Sequence, residues 1–191
     1  MSLLHDGHVG SLTAFVDRLR REQGPARQIP YFDPLDGGVE ARALLLLEAP
    51  GPKAVESGFV SRNNPDETAK NLLLACRDAG LERSHTVVWN IVPWYVGDGK
   101  KIRPAAIRDI HEGLPFLLVR LMPMLHRLQA VVLIGGKAGR AYAWIRPQCP
   151  NLRIFHCAHP SPVFVNRQPD NRAKVVGALA EVARWLTRNG P

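Results

Sequence analysis

The chain has 191 residues, 46% of them hydrophobic, and its 25 Lys and Arg against 17 Asp and Glu give a formal charge of +8 and an isoelectric point near 9.9. That length suits one core, and the basic balance favours a polyanionic partner such as nucleic acid. Cys76, Cys149 and Cys157 form no Cys-x-x-Cys pair, no apolar run is long enough to span a bilayer, and "MSLLHDGHVG" lacks the order of an export signal; a disulfide framework, a zinc ribbon and a membrane span are disfavoured, and a reducing cytoplasm fits.

Leu12, Phe15, Val16 and Leu19 recur at helical spacing behind Ser11, read as an N-cap, and Gly24 with Pro25 stops the pattern. Residues 24–40 hold Pro25, Pro30, Pro34, Gly37 and Gly38 and read as irregular coil. Ala43 to Leu47 is a continuous apolar run, the form of a strand buried on both faces, and it ends at Pro50 and Gly51 in a turn through which no helix continues. Asn64, Pro65 and Glu67 supply a cap, a first-turn proline and a capping-box acid for a helix through Ala69, Leu72, Leu73 and Cys76, closed by Gly80.

Residues 86–92, "TVVWNIV", read as a second buried strand, followed by the glycine-rich and charged loop "PWYVGDGKKIR". Pro104 opens a helical region to about Gln129, bent or broken near Pro115 and Pro123. "AVVLIGG" (130–136) is a third strand, "KAGRAYAWIR" a short helix and "LRIFHCA" (152–158) a fourth strand. A last helix starts at Asp170, with Val175, Val176, Leu179, Val182 and Leu186 on one stripe.

Strands alternating with helices predict an α/β fold: a three-layer α/β/α sandwich around a central, mostly parallel four-stranded sheet, in one domain with residues 1–40 as N-terminal helix and coil and 41–191 as core. In such sheets ligands bind beyond the carboxyl ends of the strands. Chemistry is therefore expected at Glu48 to Gly51, Asn90 to Tyr95, Gly135 to Lys137 and His159 to Pro162.

These exits carry "LEAPG", "VVWN", "LIGGKA" and "HPSPVFVNR", with "SGFVSR" between the first two. In this order, at strand ends, they resemble the uracil-DNA glycosylase superfamily over roughly residues 43–188, most closely the branch whose first motif reads Gly-Glu-Ala-Pro-Gly. The resemblance implies a DNA glycosylase that hydrolyses the N-glycosidic bond of uracil or a related damaged base after flipping it from the duplex, in base excision repair. Breaking that bond develops positive charge on the sugar and negative charge on the base, so stabilisers of opposite character are needed. By resemblance, Glu48 stabilises the oxocarbenium-like sugar or orients water, and His159 hydrogen-bonds O2 of the leaving pyrimidine.

Ala49 and Asn90 would bind the base, Asn90 through an amide that suits the N3–H and O4 edge of uracil, and Phe59 would stack on it. Gly136, Lys137, Ser161 and Arg167 would meet DNA phosphate near Gly135, and Val163 or Phe164 would fill the gap left by the flipped nucleotide. Each residue has a plainer reading: Glu48 bound by its own turn, Asn90 tied to loop backbone, Phe59 filling core beside Val60, Gly135 to Lys137 as a helix start, His159 as a turn histidine, Arg167 as a solvated surface group.

The sequence departs from the branch in three places. Leu47 stands where the leading glycine is expected, which narrows the space beside base or sugar. Only three cysteines are present, none spaced for an iron–sulfur cluster, so no cofactor is expected. Gly51 replaces the tyrosine that blocks the thymine methyl in the most uracil-selective relatives, leaving hypoxanthine, xanthine or other modified bases open as substrates.

Two further functions fit the same residues: a DNA-binding relative with weakened catalysis, and a nucleotide or nucleoside N-glycoside hydrolase. The histidines of "HCAH" point to opposite faces of a strand, which disfavours a metal, and "GGKAG" completes neither a Walker loop nor a dinucleotide fingerprint. The expected partner is DNA containing uracil or another deaminated base, met by a nucleoid-associated cytoplasmic monomer.

Overall fold

The structure is a computed structural model and describes Leu4, residues 7–97 and residues 103–190. In chain order the elements are α1 (Gly10–Gln23), β1 (Tyr31–Phe32), β2 (Ala43–Leu47), α2 (Pro52–Ser57), β3 (Phe59–Val60), α3 (Glu67–Asp78), β4 (Thr86–Asn90), α4 (Ile107–Pro115), β5 (Ala130–Ile134), α5 (Gly136–Gly139), α6 (Tyr142–Gln148), β6 (Arg153–Cys157), α7 (Pro162–Val165) and α8 (Asp170–Arg188). A π-helical segment (Phe116–Leu121) and a 3-10 turn (Met122–Met124) extend α4.

The central sheet is four-stranded in the order β4-β2-β5-β6, and every pairing is parallel. The continuous apolar runs explain this arrangement. β4 and β5 are buried at every residue and β2 at every residue but half-buried Leu47, so both faces must be covered. β6 is the exception, with Arg153 and His156 exposed at the sheet edge. The expected α/β architecture with its parallel four-stranded sheet is what forms.

The described part of the N-terminal region, residues 7–40, is more than an appendage. Leu12, Phe15, Val16 and Leu19 of α1 join the same hydrophobic cluster as the strands. Phe32 stacks on Trp89 of β4 with ring centroids 3.9 Å apart, and Phe15 meets the same indole edge-on at 6.2 Å.

Several local expectations are corrected. Helix α1 begins at Gly10 behind Val9, with no side-chain cap, so Ser11 lies inside it. The segment 24–40 is not all coil: β1 pairs in parallel with β3, and Gly38–Glu40 make a 3-10 turn. Asp66, not Asn64, caps α3, accepting from the amide of Ala69 at 2.9 Å, while Asn64 turns inward to donate to the carbonyl of Phe59.

Pro52 opens a short helix after the Glu48 turn, because its fixed φ and missing N–H suit a first helical position. Pro104 does not open α4. The helix starts three residues later, where the Asp109 carboxylate accepts from the amide of Ala106 at 2.7 Å. Strands β4, β5 and β6 end at Asn90, Ile134 and Cys157, slightly short of the expected limits, and Pro162–Val165 winds into a turn of helix where a loop is expected.

Candidate active site

The parallel register sets the site. Leu47 pairs with Asn90, Leu46 with Leu133 and Ile134 with Cys157, so the carboxyl ends of all four strands meet at one edge. Beyond that edge the departing loops leave a cavity of about 520 Å³, bordered by Glu48, Ala49, Gly51, Asn90, Pro104 and His159 among others. This volume lies within the range of small-ligand sites, roughly 300–1,000 Å³.

Glu48 is the first residue after β2 and is half-buried. Its carbonyl accepts from the amide of Val92 at 2.9 Å, which pins the turn to the loop after β4. Its carboxylate accepts from the backbone amide of Ala105, 57 residues away in sequence. The acid is thus fixed by a distant strand of backbone.

Asn90 ends β4 at 3% exposure, and its Nδ2 has no hydrogen-bond partner among the described residues. A buried donor left unpaired is costly, and such groups are uncommon in folded proteins. Asn90 also borders the cavity, so this donor stands where a bound acceptor could reach it.

His159 faces the same cavity as Glu48, and both residues also border a second hollow of about 370 Å³ formed with Lys137 and Arg140. Burial pushes the His159 imidazole below its usual 6.5, against a smaller upward pull from the Glu48 carboxylate. Burial thus favours the uncharged ring. Gly135 makes room for it: φ is +88°, and a β-carbon there would stand 3.1 Å from Cβ and 3.2 Å from Cδ2 of His159. The loop behind the ring is braced from both neighbouring helices, by Asn71 of α3 donating to the carbonyl of Pro160 (3.0 Å) and Asn171 of α8 to that of Phe164 (2.8 Å).

The remaining expected residues divide. Ala49 borders the cavity. Phe59 does not: Val60 does, and the Phe59 ring stands against Tyr31 with centroids 6.4 Å apart. Successive side chains of an extended strand point to opposite sides, so one of the pair must turn away. Among the described residues the only aromatic ring bordering the cavity is that of His159.

Gly136, at the start of α5, is exposed and has open space around it. Lys137 is half-buried, and its ammonium donates to the carbonyl of Ala105 at 2.9 Å. Ser161 caps α7, its hydroxyl oxygen accepting from Phe164. Val163 is 82% exposed and Arg167 is also exposed, but neither borders the cavity.

Leu47 borders the cavity without closing it, and Gly51 borders it with nothing within 4 Å of where a side chain would begin. Residues 98–102 of the loop after β4 lie outside the described residues; Arg103 and Pro104, which follow, border the cavity. Sequence reasoning missed Ala105, Asn71 and Asn171. Ala105 acts through its backbone, which leaves no trace in residue type; the two asparagines cross between elements and sit in no motif.

Among the described residues no group of three His, Cys, Asp or Glu is placed to hold a metal ion, and no helix is long and apolar enough to cross a membrane. Burial raises the Cys157 thiol to about 12 and pushes Cys76 and Cys149 upward as well, so all three are poor thiolates at neutral pH.

No curated protein sequence matches the chain. Among solved structures it is similar to the wild-type UNG from Nitratifractor salsuginis, at 14% identity over 74% of each chain with a TM-score of 0.45. A point mutant of the same UNG is similar at 15% identity, 74% of each chain and a TM-score of 0.45. The sequence model of the Uracil DNA glycosylase superfamily matches residues 34–183, a span that begins just before the buried strands and takes in Glu48, Asn90 and His159. With most of its length and the exits of all four strands of the central sheet inside that match, the chain belongs to the uracil DNA glycosylase superfamily.

Proposed function

We propose that the protein is a DNA glycosylase that removes uracil, or a base sharing its keto edge, from DNA, and that it stands nearest the Gly-Glu-Ala-Pro-Gly branch of the superfamily. The observation that carries this reading is the buried, unpaired Nδ2 of Asn90 in the cavity shared with Glu48 and His159.

A free amide donor can donate to a keto oxygen such as O4 of uracil and meets the amino group of cytosine donor to donor, so the wrong base leaves both groups unpaired. Glu48 supplies negative charge where the sugar becomes oxocarbenium-like. His159, neutral because it is buried, donates a hydrogen bond to the base oxygen that gains charge as the bond breaks. Neither group needs to be a strong acid or base. Each matters because it is fixed before the reaction starts.

In this reading Gly136, Ser161, Val163 and Arg167 would meet the duplex; Gly136 and Arg140 are exposed and border the second hollow beside Glu48 and His159. The overall charge of +8 supports a polyanionic partner.

The test is single-turnover cleavage of oligonucleotides carrying uracil, hypoxanthine, xanthine or unmodified cytosine. Wild type is expected to leave abasic sites in place of at least one deaminated base, with Glu48→Gln and His159→Ala slower by at least ~100-fold. Release of no base from any of these DNAs, or free nucleotides cleaved in preference, would refute the reading.

A further inference from the structure

We propose that Lys137 is a positioning residue for the Glu48 carboxylate, acting through the backbone of Ala105. The inference deepens the glycosylase reading and rests on it for its catalytic consequence.

A lysine at a strand exit of a basic protein is by default a phosphate contact. Here the ammonium is otherwise engaged. Lys137 is half-buried and donates to the carbonyl of Ala105 at 2.9 Å, while the amide of the same alanine donates to Glu48. Ala105 has no exposed surface, so its carbonyl is not supplied by open solvent. Its two polar backbone groups are therefore held by side chains from the turns after β2 and β5, which are neighbours in the sheet.

The same segment has a third anchor. Arg103 pairs with both oxygens of Asp109 (2.5 and 3.0 Å), and one of those oxygens also accepts from the amide of Ala106. Residues 103–106 thus form a strap along the cavity wall, tied to α4 at one end and to the sheet edge by Lys137 and Glu48.

Losing the lysine leaves a buried carbonyl without its donor. The strap must then shift to find water, taking the Ala105 amide away from Glu48. The carboxylate would keep its charge and lose its fixed direction. Because the site works by preorganisation, misdirection lowers the rate of bond cleavage without weakening DNA binding.

Lys137→Met keeps the stem and removes the donor. We expect its single-turnover rate at saturating enzyme to fall at least ~10-fold. Its Kd for undamaged duplex and the salt dependence of that Kd should stay at wild-type values, and amide hydrogen exchange at Ala105 should accelerate. Lys137→Arg, which restores a donor on a long stem, should recover part of the rate.

A weakened Kd with a salt slope reduced by about one and an unchanged rate would make Lys137 a phosphate contact and overturn the proposal. Unchanged rate together with unchanged Ala105 exchange would overturn it too. Should wild type release no base at all, the glycosylase reading fails separately. Ala105 exchange then decides this one: acceleration in Lys137→Met supports the clamp, and none refutes it.

Discussion

Gly135 and His159 occupy space that only one of them can fill with a side chain. At φ +88° a non-glycine residue is strained, and its β-carbon would stand 3.1 Å from Cβ of His159 and 3.2 Å from Cδ2 of its imidazole. Gly135→Ala is expected to cost roughly 1–3 kcal/mol in stability and, by displacing His159, to slow base release by at least ~10-fold. Wild-type rates in that variant would show that the position of the imidazole does not limit the reaction. The same ring sets a pH dependence. Its folded pKa lies below the ordinary 6.5 because burial disfavours the charged form. Above 6.5 neither folded nor unfolded chain holds the proton; as pH falls, the unfolded chain takes it up first, and stability drops. Denaturation followed from pH 7.5 to 5 should show a steeper loss for wild type than for His159→Gln; parallel curves would mean that the ring is not desolvated.

Helix α4 reaches the site through the strap it anchors, and its distance from the sheet is fixed by one residue. A β-carbon on Gly113 would lie 2.1 Å from the carbonyl oxygen of Ile91, backbone that follows β4 and cannot swing aside. Helix propensity alone favours alanine over glycine by up to about 1 kcal/mol, whereas overpacking against fixed backbone costs about 1–3 kcal/mol. Packing should win. Gly113→Ala is expected to lower the urea midpoint and to loosen the contacts of Asp109 with Arg103 and Ala106; a raised midpoint would mean that α4 slides freely. The junction after α4 is also built for contact: Pro115 ends the regular turns, and the π-helical segment beyond it buries Leu117 and Leu121.

Across the molecule, a buried charge network joins the N-terminal segment to the sheet. Arg62 and Asp36 are each 1% exposed and pair at 2.7 Å, Arg83 bonds both Asp36 and Asp33, and Thr86 and Ser61 complete the set. Asp36 also accepts from the amide of Val88 in β4. Removing Arg62 leaves the buried Asp36 carboxylate with one of its two cationic partners, and removing Asp36 leaves the buried Arg62 guanidinium without its carboxylate. Arg62→Met should therefore cost about 3–5 kcal/mol, measured by denaturant titration, whereas Lys53→Met, which breaks only an exposed pair with Glu56, should cost less than about 1 kcal/mol. Equal effects would mean that the network is open to water.

The sequence by itself determined the four long strands, because continuous apolar runs bounded by turn residues have no comfortable place except inside a parallel sheet. It thereby determined that Glu48, Asn90 and His159 leave the sheet at one edge. Tertiary structure alone decided what those residues face. Two-residue strands such as β1 and β3 are too short to show a period, so the turning of Phe59 away from the cavity and of Val60 toward it left no mark in the residue order. The choice of Asp66 over Asn64 as a cap depended on where Asn64 found a better partner. The hold on Glu48 depended on bonds across 57 and 32 residues, made to the backbone of an alanine. Local patterns record which segments must be buried; contacts between distant backbone groups appear only once packing has brought them together.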